Sequence, residues 1–123
     1  RISEEEIILF LATHLDHRRA DQERRASAKF INRMIGSRDK LPAILAGDFN
    51  DVPGSPTLKE VGKLWLRTNP EMNPTVPVAK PVRQIDYILV RPKDRWKVVE
   101  TRVLDEAVAS DHRAIFAVIE LVD

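Results

Sequence analysis

An α/β sandwich built on a mixed β-sheet is the fold class that this 123-residue sequence predicts. Two observations predict it. Short apolar runs and amphipathic stretches follow one another in the order β-α-β-α, and three more strand-like runs come after them. In addition, several of the apolar runs carry or end in a compact polar cluster, and strand ends are where α/β enzymes place chemistry.

The first element is the run Ile7-Ile8-Leu9-Phe10-Leu11-Ala12, apolar at every position, as a strand buried on both faces would be. It ends in Thr13-His14-Leu15-Asp16-His17. Asp21 or a neighbour can cap a helix from about Gln22 to Ile35, with Ala26, Phe30, Ile31, Met34 and Ile35 as its apolar side and Gly36-Ser37 as its stop. Leu41 to Ala46 is the second strand and runs into Gly47-Asp48-Phe49-Asn50. Pro53-Gly54 reads as a turn. Ser55 and Pro56 suit the cap and first position of a second helix, carrying Leu58, Val61, Leu64 and Trp65 and fading by Thr68. The segment from Asn69 to Val82 holds Pro70, Pro74, Pro77 and Pro81 and is expected to be an irregular loop, of a length often tied to function. Strands follow at Ile85–Val90, Trp96–Leu104 and Arg113–Leu121, with Pro92-Lys93-Asp94 as the turn between the first two.

Composition narrows the chemistry. Hydrophobic residues make up 43% of the chain, enough to build a core. The longest apolar run, Ile7 to Ala12, is far too short to cross a bilayer. The chain opens on Arg1 rather than Met, which leaves room for a preceding segment. Cysteine is absent, so disulfides and thiol catalysis are excluded, and any metal must be held by oxygen or imidazole. Such donors point to Mg²⁺ or Mn²⁺ ahead of a thiolate-rich zinc site. Net charge is +1, which is no general polyanion-binding signature. Basic charge is clumped at Arg18, Arg19, Arg24 and Arg25; the run suits a solvated helix face, or a rim for a phosphorylated substrate. No Gly-rich phosphate loop, nucleophile elbow or His-Glu-x-x-His helix is present. Trp65, Tyr87 and Trp96 are too scattered for a base-stacking platform and read as core anchors.

The polar clusters are more specific. Asp48 and Asn50 share a face if their segment is extended, and a carboxylate beside a neutral amide suits phosphate chemistry. The same residues also suit a turn, since Asp51-Val52-Pro53-Gly54 follows. Asp86 sits within an apolar strand, where an unpaired charge would be costly, so it requires a partner. His112, from Ser110-Asp111-His112, can be that partner, and an oriented imidazole can act as a base; a purely structural Asp–His pair is the alternative. His14 ends its apolar run as Asp48 does, while His17 reads as surface or supporting and Asp16 as a turn or cap. If the strands are neighbours, these groups converge on a site for metal-assisted phosphoester hydrolysis.

Thr13-His14-Leu15, Gly47-Asp48-Phe49-Asn50, Ile85-Asp86-Tyr87 and Ser110-Asp111-His112, in this order and with these strand contexts, resemble the motifs of the endonuclease/exonuclease/phosphatase superfamily. That group includes pancreatic deoxyribonuclease, abasic-site endonucleases, inositol-polyphosphate phosphatases and bacterial sphingomyelinases. The resemblance implies a four-layer α/β sandwich, two mixed sheets flanked by helices, of which this chain is half. It also implies metal-dependent cleavage of a phosphoester. Carried over by motif position, His112 paired with Asp86 activates or stabilises the nucleophile. Asp48 and Asn50 orient nucleophile, phosphate and metal, with Asp48 and Asp111 as metal ligands, and His14 donates to the scissile phosphate.

Family members also carry an N-terminal half that supplies an Asn and a Glu to the metal. Residues 1–123 therefore correspond to the C-terminal part of one such domain. Its expected partners are Mg²⁺ or Mn²⁺ and a phosphoester substrate (nucleic acid, phospholipid head group or inositol phosphate). A missing N-terminal half, or self-association through an exposed apolar sheet face, is expected as well. The alternative is a non-catalytic binding module, or an inactive fragment, that retains the fold; it predicts broken motifs, and all four are intact.

Overall fold

A parallel pair of strands, β1 (Leu9–His14) and β2 (Ala43–Asp48), is joined through helix α1 (Gln22–Gly36), because parallel neighbours need a crossover. The structure is a computed structural model and describes residues 6–38 and 40–123. Helix α2 (Pro56–Val61) and a two-residue strand β3 (Leu66–Arg67) follow, then β4 (Asp86–Arg91), β5 (Trp96–Val103) and β6 (Ile115–Leu121). The first sheet has the order β1-β2-β4-β3, with β4 antiparallel to both of its neighbours, so it is mixed. β5 and β6 form a separate antiparallel pair, with a register shift between Val98 and Glu100. The chain is thus an α/β fold with two sheets.

Register is what builds the site. His14 pairs with Asp48, and Asp48 pairs with Asp86, so three polar residues form one row across the ends of three strands. Residues paired across a sheet point to the same face. The strand ends differ from expectation in the direction that matters: β1 and β2 each run two residues further, making His14 and Asp48 their last residues. β4 correspondingly begins at Asp86.

One face of this sheet packs against the helices. Leu45, Tyr87 and Leu89 share a core with Ala28, Ile31 and Ile35 of α1 and with Leu58, Val61 and Trp65 from the α2 region. Burying such side chains is worth about 1.5–3 kcal/mol each. Polar ties fix how the helices lie. Asn32 donates through Nδ2 to the Glu60 carbonyl at 2.7 Å and accepts from Trp65 Nε1 at 3.2 Å. Arg91 donates to the Ile35 carbonyl at 2.9 Å, tying the end of α1 to β4. Ser55 caps α2, its hydroxyl accepting from the Leu58 N–H at 3.2 Å.

Several expectations need correction. β1 is not buried on both faces. It is an edge strand of alternating exposure: its Leu9 and Leu11 side packs on the core, while its other side is open among the described residues, with Phe10 67% exposed. The buried side of α1 is Arg24, Ala28, Ile31, Asn32 and Ile35, whereas Ala26, Phe30 and Met34 face outward. Apolar residues at both i and i+4 offered two overlapping stripes, and α2 and the sheet cover only one of them. Asp21 occupies the cap position of α1 without a side-chain cap bond; its carboxylate pairs instead with Arg25 at 3.3 Å. The second helix ends at Val61, and β3, which no periodicity announced, forms beyond it. The loop between Asn69 and Val82 is irregular as expected, apart from a bridge between Val76 and Arg83.

Candidate active site

The row His14–Asp48–Asp86 becomes a cluster because the segment before β6 lays His112 across it. His112 Nδ1 lies 2.8 Å from Asp86 Oδ2. Its Nε2 lies 3.8 Å from Asp48 Oδ2, and His14 Nε2 approaches the same Asp48 oxygen to 3.4 Å. With Asp86 ionised, the bond to Nδ1 places the ring hydrogen there and turns the Nε2 lone pair toward Asp48. His112 comes from the loop ahead of β6, not from a strand adjacent to β4 in its sheet. The carboxylates of Asp48 and Asp86 are each 16% exposed, so the pair is sheltered, while His14 stands at 75% and is open to solvent. A cleft of about 360 Å³ opens over the cluster, bounded by Asp48, Asp86, Ser110, His112 and Arg113 with Ile115 as an apolar wall.

Electrostatics follow from this geometry. Burial opposes protonation of His112, but its bond to Asp86 and the charges of Asp86, Asp48 and Asp111 outweigh burial, and its pKa is raised above the ordinary histidine value. Ligand atoms of Asp48, Asp86 and His112 lie within 4.8 Å of one another, a spacing that a metal ion could span. Asp111 is exposed at the rim, with its carboxylate 3.5 Å from the Ser110 hydroxyl.

Backbone conformation aims the Gly-Asp-Phe-Asn cluster. Gly47 has φ +152°, and a Cβ there would sit 1.8 Å from the Thr13 carbonyl oxygen, so only glycine allows β1 this close. Phe49 turns into the core, its ring edge-on to Tyr87 at 5.3 Å between centroids. Asn50 is left-handed (φ 48°), a conformation asparagine tolerates. Asp48 and Asn50 therefore do not share a face through extended alternation: the turn reading holds locally. The Asn50 backbone N–H donates to Asp48 Oδ1 at 2.8 Å, and its side-chain amide donates to the Leu15 carbonyl at 2.8 Å.

Support comes from Thr75, which sequence reasoning passed over, and from the neighbours of Asp86 in its own motif. Thr75 Oγ1 donates to Asp86 Oδ2 at 2.6 Å. Gln84, buried, accepts the Asn73 N–H at 2.9 Å and donates to the Asp86 carbonyl at 3.3 Å, fastening the proline-rich loop to β4. The Tyr87 hydroxyl lies 2.9 Å from the Asp51 carbonyl and 3.0 Å from that of Gln84, and burial raises its pKa far above the usual phenol range. Thr75 and Gln84 carried no sequence signal beyond standing within or beside a motif, whereas Tyr87 is the buried core anchor its aromatic character predicts.

The basic run resolves into separate contacts. Arg24 is buried and donates to Asp51 at 3.0 Å, to the Asp16 carbonyl at 3.2 Å and to the Arg18 carbonyl, so it is structural and not part of a rim. Arg18 turns back onto Asp16 at 2.9 Å, and His17 is exposed.

Solved structures share this architecture. The chain is 27% identical to an endonuclease/exonuclease/phosphatase from Bacteroides vulgatus, covering 91% of this chain and 49% of that one with a TM-score of 0.76. A mannosyl-6-phosphatase of Bacteroides thetaiotaomicron (22% identity, 91% and 51% covered, TM-score 0.72) has the same fold. So does D. rerio TDP2 solved with a single-strand DNA product (16% identity, 90% and 55% covered, TM-score 0.67). The chain spans about half the length of these structures. No curated protein matches the sequence significantly. The sequence does match a family profile over residues 3–112, nearly its whole length, and the chain belongs to the Endonuclease/Exonuclease/phosphatase family.

Proposed function

We propose that this chain carries the reaction centre of a divalent-metal-dependent phosphoester hydrolase. The observation that supports this most is the convergence of Asp48, Asp86 and His112, from three separate segments, on one open cleft, with His14 of a fourth segment against Asp48. A purely structural Asp–His pair has no need of a second histidine and a second carboxylate around it. Family membership supports phosphoester chemistry in general.

The donor set suits a hard cation. Its carboxylates are oxygen ligands of the kind Mg²⁺ and Mn²⁺ prefer, and no thiolate is present. Asp86 Oδ2 already accepts from Thr75 and His112, so Asp86 is committed to orienting the imidazole. Of this set Asp48 is the residue we assign to the metal, together with Asp111, which stands outside the set at the exposed rim. When bound, the cation neutralises phosphate charge and stabilises the leaving oxygen.

The protein groups divide the remaining work. Asp48 accepts from the attacking water and orients it. His112 holds its Nδ1–H on Asp86 and presents Nε2 to the cleft, accepting a proton when neutral and donating to a phosphoryl oxygen when charged. The exposed His14 donates to the substrate phosphate. Asn50, anchored by one amide hydrogen to Leu15, offers the other to a phosphoryl oxygen.

Residues 1–123 form, in this reading, the C-terminal part of one domain. The edge of β1, unflanked among the described residues, the exposed Phe10 and the outward Phe30 and Met34 support a complementary half of the polypeptide packing there. The solved structures, twice this length, support the same view. Substrate choice is assigned to the loop from Asn69 to Val82, among nucleic acid, phospholipid head group and inositol phosphate.

The test is hydrolysis of a panel of phosphodiesters and phosphomonoesters with Mg²⁺ or Mn²⁺, beside a His112→Ala control. The expected result is metal-dependent turnover that the substitution removes. Turnover unaffected by His112→Ala, or none even when the complementary half is supplied, overturns the proposal.

A further inference from the structure

Thr75 sits in the proline-rich loop, far from any motif, yet it is fully buried and bonds both Asp86 and the residue that follows His112. Its hydroxyl donates to Asp86 Oδ2 at 2.6 Å, the same oxygen that receives His112 Nδ1. Its backbone carbonyl accepts the N–H of Arg113, the residue after His112, at 2.9 Å. One residue therefore ties the acid on β4 and the segment carrying the imidazole to a common point. The hydroxyl itself is oriented, because the Ile85 N–H approaches its oxygen at 3.4 Å and leaves its hydrogen for the carboxylate. The loop position is fixed in turn: the Thr75 N–H donates to the Arg83 carbonyl at 2.8 Å, and Arg113 Nε donates to the Val78 carbonyl at 2.8 Å.

We infer that Thr75 is a positioning residue, which through its hydroxyl on Asp86 and its carbonyl on Arg113 fixes the rotamer of Asp86 and hence the tautomer and aim of His112. A carboxylate rotates about its last torsion with little resistance, since that torsion is broad. Held by His112 alone, Asp86 could turn together with the ring. A second, short donor on the same oxygen removes that freedom, and outer partners of this kind are a known means of setting an imidazole tautomer. The loop proposed to select substrate would then also hold the dyad in register.

The inference rests on the reading of Asp86 and His112 given above, so its test includes a readout that does not depend on hydrolysis. In the 123-residue protein with ¹⁵N-labelled histidine, the ring nitrogens of neutral His112 should report a single Nδ1–H tautomer. Thr75→Val, which keeps the shape and removes the hydroxyl, should lose that single form in favour of a mixture containing Nε2–H. Thr75→Ser should retain it. In the unsubstituted protein, the Thr75 hydroxyl proton should be slow to exchange and show a cross-peak to the His112 Nδ1 proton, a measurement that needs no variant to fold. A missing cross-peak, or an unchanged tautomer in a folded Thr75→Val protein, overturns the inference. In the active enzyme, Thr75→Val should lower kcat about tenfold with KM little changed, and Thr75→Ser should restore it. A tautomer that shifts while kcat does not would leave Thr75 positioning the ring and overturn the catalytic reading of His112 instead.

Discussion

His112 Nδ1 and Asp86 Oδ2 meet at 2.8 Å, joining the loop before β6 to the start of β4 across 26 positions of the chain. Asp86 stands at the first position of β4 beside the cleft, and its carboxylate accepts from the Thr75 hydroxyl as well as from His112, so it keeps a partner if the imidazole is removed. If the pair serves the reaction, His112→Ala should lower turnover by about 10²–10⁴-fold, the usual contribution of a positioned proton-transfer group. The melting temperature should change little, since the ring lies at the cleft and not in the core. Wild-type rates in a folded His112→Ala protein would remove the residue from the mechanism.

The raised pKa of His112 gives a pH signature with a definite sign. A proton bound more tightly in the folded than in the unfolded state stabilises the fold fully below the unfolded value, and that stabilisation is lost as pH rises through the folded value. In the metal-free protein, the stability difference between wild type and His112→Gln should therefore shrink as pH rises from below the ordinary histidine range. Asp86→Asn removes one of the charges that raise the pKa, so the window should move to lower pH, and the corresponding limb of any pH–rate profile should move with it. Identical pH profiles for wild type and Asp86→Asn would show that the contact does not tune the imidazole.

Much of this site could be read before any coordinates, for a physical reason. Acids, amides and imidazoles interrupt apolar runs only where burial is incomplete or a partner waits, so His14, Asp48, Asp86 and His112 stand out from their surroundings. Their convergence depends on strand register, which the strand ends fixed closely enough. Thr75 was illegible because a threonine among prolines has no period to break. Arg24 was misread because a run of arginines looks the same whether it faces water or one member turns inward to an acid 27 residues away. The conformation of Asn50 and the buried stripe of α1 depended on tertiary neighbours, which local pattern does not encode.

The Arg24–Asp51 pair should behave as a buried link, not as a surface ion pair. Its side chains are only 7% and 13% exposed, and Arg24 also holds the carbonyls of Asp16 and Arg18. Arg24→Met should cost about 3 kcal/mol by denaturant unfolding, because it strands the acid and two carbonyls. Burial works against ionisation of Asp51, but the Arg24 guanidinium and the Val52 N–H outweigh it and lower its pKa. That stabilisation is present above the unfolded carboxylate value and is lost as pH falls through the folded one. Arg24→Met should flatten this acid slope. A cost below about 1 kcal/mol, the range of exposed pairs, would make the contact incidental.

Gly47 offers the sharpest separation of backbone from side-chain effects. It is paired with Thr13 in the β1–β2 ladder, one residue before the His14–Asp48 pair. A methyl group there would meet the Thr13 carbonyl at 1.8 Å, and the obstacle is backbone, which cannot swing aside as a flexible side chain can. The strands must part to relieve the clash, and parting them also pulls His14 from Asp48, now 3.4 Å away. Gly47→Ala should therefore cost roughly 3 kcal/mol in stability, large for so small a change. It should also impair turnover more than its stability loss explains when assayed well below its melting temperature. Gly54→Ala is a suitable control: its φ is also positive, at +86°, but nothing lies within 4 Å of the point a methyl would occupy, so only backbone strain of about 1 kcal/mol is expected. Equal effects from the two substitutions would mean that strain at glycine, and not the approach of β1 to β2, sets the geometry of the site.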